Sequence, residues 1–244
     1  LNLSTSFAKK MQLYSLSWTK PYFLDTPWTV GFDVERKANN KSYSDDYYVD
    51  NFLFRLRAMY KINPFLRFSW NYRLKNSNVT LTATNASQSL QDEAANDGVT
   101  SSTGVALIYD TTDHPMEPTH GFLSKIETEY AGIGGDSNYV GLNYLNTYYH
   151  PLSEKGTLKL RADLHILVPT CGDTISELPL DQRLYLGGET SVRGYRQFAL
   201  GPQYDDGTPK GGATTSLGSL EYNYRMTDMF SAFSFIDAGQ VSEN

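Results

Sequence analysis

The chain has 244 residues, and 27 acidic against 21 basic side chains give it a formal net charge of −6. Hydrophobic residues make up 40% and aromatic residues 14% of it, so it is neither a disordered nor a low-complexity chain. The acidic balance argues against a nucleic-acid-binding surface, and a single cysteine excludes a disulfide framework and a multi-cysteine zinc site. No apolar run approaches about 18 residues, so the sequence predicts no transmembrane helix.

Both ends of the chain resemble the middle of a structural element. Residues 1–8 alternate between apolar and polar side chains with no signal peptide before them, and residues 236–244 (IDAGQVSEN) stop in a strand-like run. We therefore expect the chain to be a fragment of a larger protein.

Apolar and polar residues alternate along most of the sequence. In residues 28–35 (WTVGFDVE) and 158–166 (LKLRADLHI), for example, one face of a strand is apolar and the other polar. No segment has a convincing apolar stripe of helical period. The pattern predicts an all-β chain of about eleven strands, near residues 1–8, 11–20, 27–37, 51–61, 65–74, 102–110, 121–131, 138–149, 157–167, 214–225 and 230–240.

The length of the predicted strands favours a membrane barrel. Most are close to the roughly 9–11 residues that a tilted strand needs to cross a bilayer. Long polar loops tend to alternate with short turns, as in outer-membrane barrels, although the short link at 132–137 stands where a long one is expected. The long loops are predicted at 38–50, 75–101 and 168–213, and the short turns at 62–64, 150–156 and 226–229.

The chemistry of the side chains also favours a membrane barrel. The polar strand faces carry charges of both signs, as suits a wet barrel lumen, and aromatic residues lie at strand ends, where they suit lipid headgroups. A soluble β-sandwich binding module shows the same alternation and stays an alternative. In a barrel, the residues predicted to face lipid include Leu66, Phe68, Trp70, Leu158, Leu160 and Leu164.

Five motifs occur in one order along the chain. Residues 185–202 (YLGGETSVRGYRQFALGP) place two glycines, a spacer and Val-Arg-Gly-Tyr before Leu-Gly-Pro. This segment resembles the signature of the BamA-type outer-membrane barrel assembly factors. The other matching segments are 19–34 (TKPYFLDTPWTVGFDV), 110–122 (DTTDHPMEPTHGF), 218–222 (GSLEY) and 235–239 (FIDAG).

The resemblance spans essentially the whole chain and implies its architecture. The chain would hold about strands three to thirteen of a sixteen-stranded antiparallel transmembrane barrel. The terminal strands and the periplasmic POTRA repeats upstream would lie outside these 244 residues. The loop at 168–213 would be external in origin and fold back into the barrel lumen.

The resemblance also assigns site residues. The lumen loop carries the motif Val192, Arg193, Gly194 and Tyr195, whose arginine pairs in the family with acidic residues of the barrel wall. The matching positions here are Glu221 and Asp237. The loop backbone positions are Gly187, Gly188, Gly201 and Pro202, and the structural turn motif comprises Asp110, Asp113, Pro115, Pro118 and Gly121.

Strand parity supports the two acidic partners unequally. Leu220 and Tyr222 are expected to face lipid, so Glu221 faces inward. Asp237 shares a face with the aromatic residue Phe235, so an inward direction of Asp237 needs an explanation, and two are open. Either a β-bulge shifts the register near Asp237, or aromatic rings pack under the loop.

Nothing in the sequence argues for an enzyme, a cofactor or a bound metal. His114 lies among acidic residues on a proline-containing turn, where such residues commonly cap the backbone. Residues 204–207 (YDDG) lack the further oxygen ligands that a calcium loop needs. Cys171 is interpreted as an unpaired thiol, and a disulfide to a segment outside the chain stays open.

Three functions from different classes remain. The first is an assembly factor that folds and inserts β-barrel proteins into the bacterial outer membrane by templating at a seam between its first and last strands. Its partners would be unfolded outer-membrane proteins, accessory lipoproteins and the lipid bilayer, without nucleic acid. Its long loops would be extracellular and its short turns periplasmic. The second is a two-partner secretion or TamA-type translocation pore, and the third is the β-sandwich module.

Overall fold

The computed structural model describes residues 1–8, 11–40, 47–82, 87–95, 98–172, 175–227 and 229–243, and it confirms the all-β prediction. The described chain forms eleven strands, one short α-helix, α1 (Gln88–Ala94), and two single-turn 3-10 helices, Phe23–Asp25 and Ile175–Glu177. The strands are β1 (Asn2–Ala8), β2 (Met11–Lys20), β3 (Trp28–Asn40), β4 (Tyr47–Lys61), β5 (Leu66–Leu81), β6 (Gly98–Asp110), β7 (Gly121–Gly135), β8 (Tyr139–Pro151), β9 (Gly156–Pro169), β10 (Thr214–Arg225) and β11 (Ser231–Ser242).

All eleven strands belong to one antiparallel sheet, in the order of the sequence from β1 to β11. A sandwich needs two sheets packed face to face, so the β-sandwich alternative is wrong. Successive connections of such a meander alternate between its two ends. The connections 82–97 and 170–213 therefore leave from one end, called here the long-loop end, and 62–65, 111–120, 152–155 and 226–230 lie at the short-turn end.

The predicted loop at 75–101 was too long. β5 continues to Leu81 and β6 begins at Gly98, and the connection contains the short helix α1, which no apolar stripe marks in the sequence. Ser87 caps α1, and Leu90 and Ala94 are buried one turn apart. Two helical turns are too short to produce a visible apolar stripe. Residues 83–86 and 96–97 of that connection, and 41–46 of the predicted loop 38–50, lie outside the described residues.

The two faces of the sheet differ as the alternation predicts. Apolar residues pair with apolar residues across neighbouring strands, and polar with polar: Leu220 pairs with Leu160, and Ser219 with Arg161. One face, the outer face, exposes large apolar side chains, with Leu160 42% and Trp70 37% exposed. The opposite inner face carries charged pairs and the loop 170–213.

The loop 170–213 packs on the inner face through two apolar clusters. In the first, Leu180 and Tyr204 of the loop meet Leu90 of α1 over buried residues of β4. In the second, Ile175 and Leu178 pack against Tyr139 of β8. This packing places the loop tip, with Arg193, opposite β10 and β11.

Candidate functional site

The loop tip is seated on β11 by one apolar contact. Val192 is 3% exposed and lies over Gly239. A Cβ atom at Gly239 would come within 2.7 Å of Val192 Cγ2 and 3.1 Å of Leu186 Cδ1. Val192 can therefore pack against β11 only because Gly239 has no side chain. This contact brings Arg193, the residue after Val192, beside the strand.

Arg193 grips Asp237 with three donors. Its Nε and Nη2 donate to the two carboxylate oxygens at 2.8 Å each, and its backbone N–H donates to Oδ2 at 3.0 Å. Ser219 on β10 donates to the same carboxylate at 2.7 Å. The Asp237 side chain is 1% exposed and the Arg193 side chain 21%, so the carboxylate end of this forked ion pair is buried while the guanidinium end keeps some contact with solvent.

The remaining guanidinium nitrogen of Arg193 bonds to Glu221 on β10. Glu221 also accepts from Asn223 at 3.0 Å and lies 3.9 Å from the Lys159 ammonium on β9. Hydrogen bonds to Asp237 and Glu221 outweigh the cost of burial and raise the pKa of Arg193 above its ordinary value. Arg193 therefore carries its positive charge at every physiological pH.

The register explains how Asp237 faces inward. The pairing of β10 with β11 runs without a shift from Thr214↔Ser242 to Arg225↔Ser231, so the bulge explanation is wrong. Instead, the Phe235 ring lies on the inner face beneath Arg193, with the guanidinium carbon 3.6 Å from the ring centroid. Phe235, the aromatic residue that interrupts the alternation on β11, therefore packs under the guanidinium of Arg193.

A narrow neck joins the tip to the rest of the loop. Leu200 donates its backbone N–H to Leu186 O at 3.2 Å, and the two residues form an isolated β-bridge. Gly187 follows with a φ of +110°, where a Cβ atom would lie 2.4 Å from Arg196 O. Only glycine fits there. Of the other predicted positions, Gly188 and Gly201 flank the neck, Pro202 follows it, and Gly194 and Tyr195 are exposed.

The loop makes a second set of polar contacts with the inner face through residues 181–183, which the sequence analysis did not single out. Asp181 pairs with Lys75 and accepts from Ser77 at 2.6 Å, both on β5. Gln182 accepts from Tyr139 on β8 at 3.2 Å. No local signal in the sequence marks these residues, since their partners lie far from them along the chain.

Arg183 connects this region to α1. Its side chain is fully buried, forms an ion pair with Glu93 of α1 at 2.6 Å and donates a hydrogen bond to the Tyr204 hydroxyl at 3.0 Å. Tyr204 in turn donates to Glu93 at 2.6 Å. Burial raises the pKa of Tyr204, which keeps its hydroxyl protonated as a donor. The two long connections are therefore joined by a buried triangle.

The predicted turn motif lies apart from the loop, at the short-turn end. Asp113 accepts from Thr119 Oγ1 at 2.6 Å and from two backbone N–H groups of the same turn. Asp110 pairs with Arg67 at 2.9 Å. Pro115 is exposed and Pro118 is half-buried, while Gly121 has a φ of +112°. The motif organises its own backbone and does not contact Arg193.

In the described part of the chain, no group of three or more His, Cys, Asp or Glu side chains is arranged so that it could hold a metal ion. Cys171 is exposed at the start of the loop. No helix in the described part of the chain is long and apolar enough to cross a membrane. The site is thus a loop held on a strand pair by ion pairs and one apolar contact.

Known proteins are similar to this chain in sequence. A family model of the Omp85 superfamily domain matches residues 1–244. The chain is 26% identical over 91% of its length to the outer membrane protein assembly factor BamA of Nitratidesulfovibrio vulgaris, covering 27% of that protein. It is 28% identical over 93% of its length to BamA of Neisseria meningitidis, covering 31%. It therefore spans about a third or less of these relatives.

The fold agrees with a solved barrel. The structure of BamA from Haemophilus ducreyi lacking POTRA domains 1–3 superposes with a TM-score of 0.81, covering 98% of this chain and 51% of that chain at 17% identity. The resemblance that the motifs predicted is thereby confirmed. With a family match that covers the whole sequence, the chain belongs to the Omp85 superfamily.

Proposed function

We propose that this chain is part of the barrel of an outer-membrane assembly factor, which folds and inserts other β-barrel proteins into the bacterial outer membrane. The observation that carries the proposal is the buried fork of Arg193 on Asp237 and Glu221, in a chain that matches BamA sequences along most of its length. The exposed apolar outer face supports placement in a bilayer, because such a surface is unfavourable in water.

The remaining parts of the proposal concern what lies around these residues. β1 and β11 are edges of the described sheet, and an unpaired strand edge is not tolerated in lipid. We place them against further strands of a sixteen-stranded barrel, with POTRA repeats upstream. The long-loop end is extracellular and the short-turn end periplasmic.

In this proposal Arg193 acts as a lock. The loop 170–213 loses conformational entropy when it lies against the inner face, and the ion pair offsets part of that cost. The locked loop keeps the barrel wall ordered while a client strand pairs with the seam between the first and last strands, a form of β-augmentation. Clients are unfolded outer-membrane proteins, accessory lipoproteins assist, and burial of the client's apolar surface in lipid drives insertion without a nucleotide.

The test is complementation in cells depleted of the full-length protein. The wild-type gene should restore the heat-modifiable, folded form of the host's porins, and Arg193→Glu should restore much less. Arg196→Glu is the matched control, because Arg196 is an exposed arginine on the same tip. Porins that assemble normally in depleted cells, with loss of a single secreted protein instead, would favour a translocation pore and refute the assembly function.

A further inference from the structure

Two segments of the loop 170–213, the base and the tip, are held in different ways. The base, residues 175–186, is packed like a protein core. Leu178 and Leu180 are each 1% exposed, and Ile175 is 5% exposed. The tip, residues 187–199, is open to solvent from Gly194 to Gln197, and Val192 is its deeply buried apolar residue. Burial of apolar surface therefore stabilises the base far more than the tip.

The polar contacts of the two segments reach different walls. The base binds β5, β8 and α1 through Asp181, Gln182 and Arg183, and the side chains of Asp181 and Arg183 are fully buried. The tip binds β10 and β11 through Arg193, whose side chain is 21% exposed. One further bond, from Arg161 to Thr190 O, joins the tip to β9 at 2.9 Å.

The neck between the segments is suited to bending. A β-bridge between Leu186 and Leu200 and one long hydrogen bond from Phe198 N–H to Gly187 O, at 3.4 Å, close it, and Gly187 and Gly188 have φ values of +110° and +99°. Glycine pairs absorb backbone rotation at low cost. Segments with few buried apolar contacts open locally at lower free energy than the core around them. The tip is therefore the segment that opens first.

We infer that the loop is hinged: Asp181 and Arg183 form a second, permanent anchor, and release of Arg193 swings the tip about the neck while the base stays in place. Asp181 and Arg183 are positioning residues in this scheme. They hold the neck at a fixed height on the inner face, so that Arg193 returns to Asp237 after each opening. The inference rests on the proposed lock and adds to it how the lock opens.

Hydrogen exchange of the purified full-length protein in lipid nanodiscs tests the hinge. In Arg193→Ala, amide exchange in the tip should rise at least about tenfold, while exchange in the base changes by less than about twofold. Arg196→Ala, the exposed control on the tip, should leave both segments at wild-type rates. Glu93→Gln, which keeps a side chain able to bond with Tyr204, should raise exchange in the base and in α1.

The outcomes separate the two proposals. If exchange in the tip does not rise in Arg193→Ala, the lock itself is refuted and the hinge with it. If tip and base rise together, the lock stands and the hinge is wrong, because the loop then leaves as one unit. A spin-label distance between the base and β5 that stays at the wild-type value in Arg193→Ala supports the hinge independently. The label background needs Cys171→Ala, since that thiol is exposed.

Discussion

The guanidinium carbon of Arg193 lies 3.6 Å from the centre of the Phe235 ring. The charge on Arg193 is thus held from the side by Asp237 and from below by an aromatic face. A cation over an aromatic ring contributes about 0.5–2 kcal/mol, with the larger value for desolvated pairs. An arginine suits this place better than a lysine, because its flat guanidinium stacks on a ring and forks onto a carboxylate at the same time.

Phe235→Leu should therefore weaken the seat of the loop tip by about 0.5–2 kcal/mol in the free energy of tip opening. Phe233→Leu is the control, because Phe233 stacks on Phe235 without lying under the arginine. Amide exchange of the tip in both variants measures the difference. Equal exchange in the two variants would show that the ring under Arg193 contributes nothing specific.

The ion pairs of Arg193 give a prediction with an internal rescue. Arg193→Lys should lower the stability of the loop contact by about 1–2 kcal/mol, because an ammonium cannot make the forked bonds. Arg193→Glu should be worse, since it places like charges together. Adding Glu221→Arg to Arg193→Glu should recover part of the loss. Heat-modifiable mobility of the barrel is the readout, and a double variant no better than Arg193→Glu alone would contradict direct pairing.

Gly239 offers a steric test of the same contact. Gly239→Ala should cost about 1–3 kcal/mol, because its Cβ would overlap Val192. Val192→Ala in the same chain should relieve part of the overlap. Gly218→Ala is the matched control, a strand glycine with no atom within 4 Å of its Cβ position. Thermal unfolding of the three variants, compared with the wild type, measures these costs, and the steric explanation fails if Gly218→Ala costs as much as Gly239→Ala.

The outer face predicts an asymmetric response to charge. Leu160→Arg should destabilise the barrel by about 2–4 kcal/mol if it lies near the bilayer midplane. Ser69→Arg should cost much less, because Ser69 lies on the inner face at a similar distance from the short-turn end. Folding in lipid vesicles, titrated with denaturant, compares them. A larger loss for Ser69→Arg would reverse the assignment of the two faces.

The turn at 111–120 should respond to acid through Asp113. The hydrogen bond from Thr119 Oγ1 and the backbone donors hold the pKa of Asp113 well below its usual range. A lowered folded pKa stabilises the turn fully above the unfolded value of about 3.9, and this contribution is lost as pH falls from there towards the folded pKa. The stability difference between wild type and Asp113→Asn should be constant above about pH 5 and shrink below about pH 4. A stability difference that stays constant down to about pH 2 would contradict the prediction.

Much of the architecture was readable from the alternation of side chains. In a strand with one apolar face, apolar residues recur at every second position. The number of strands, the apolar face of most of them and the inward direction of Glu221 therefore follow from the positions of the apolar residues. The motif residues Arg193, Glu221 and Asp237 came from resemblance to a family. The structure brings them into contact, and it shows that Phe235 interrupts the apolar alternation because it serves the loop.

The sequence by itself determined which face of most strands is apolar, because that choice depends only on neighbouring residues along one strand; on β11 the alternation left the face of Asp237 open. The tertiary structure alone decided where the loop is held. Arg183 and Glu93, or Asp181 and Lys75, carry no mark of each other in the sequence, and their pairing depends on how the loop and α1 pack against β4 and β5. Contacts between residues distant along the chain are set by the packing of whole elements. Local periodicity contains no information about that packing.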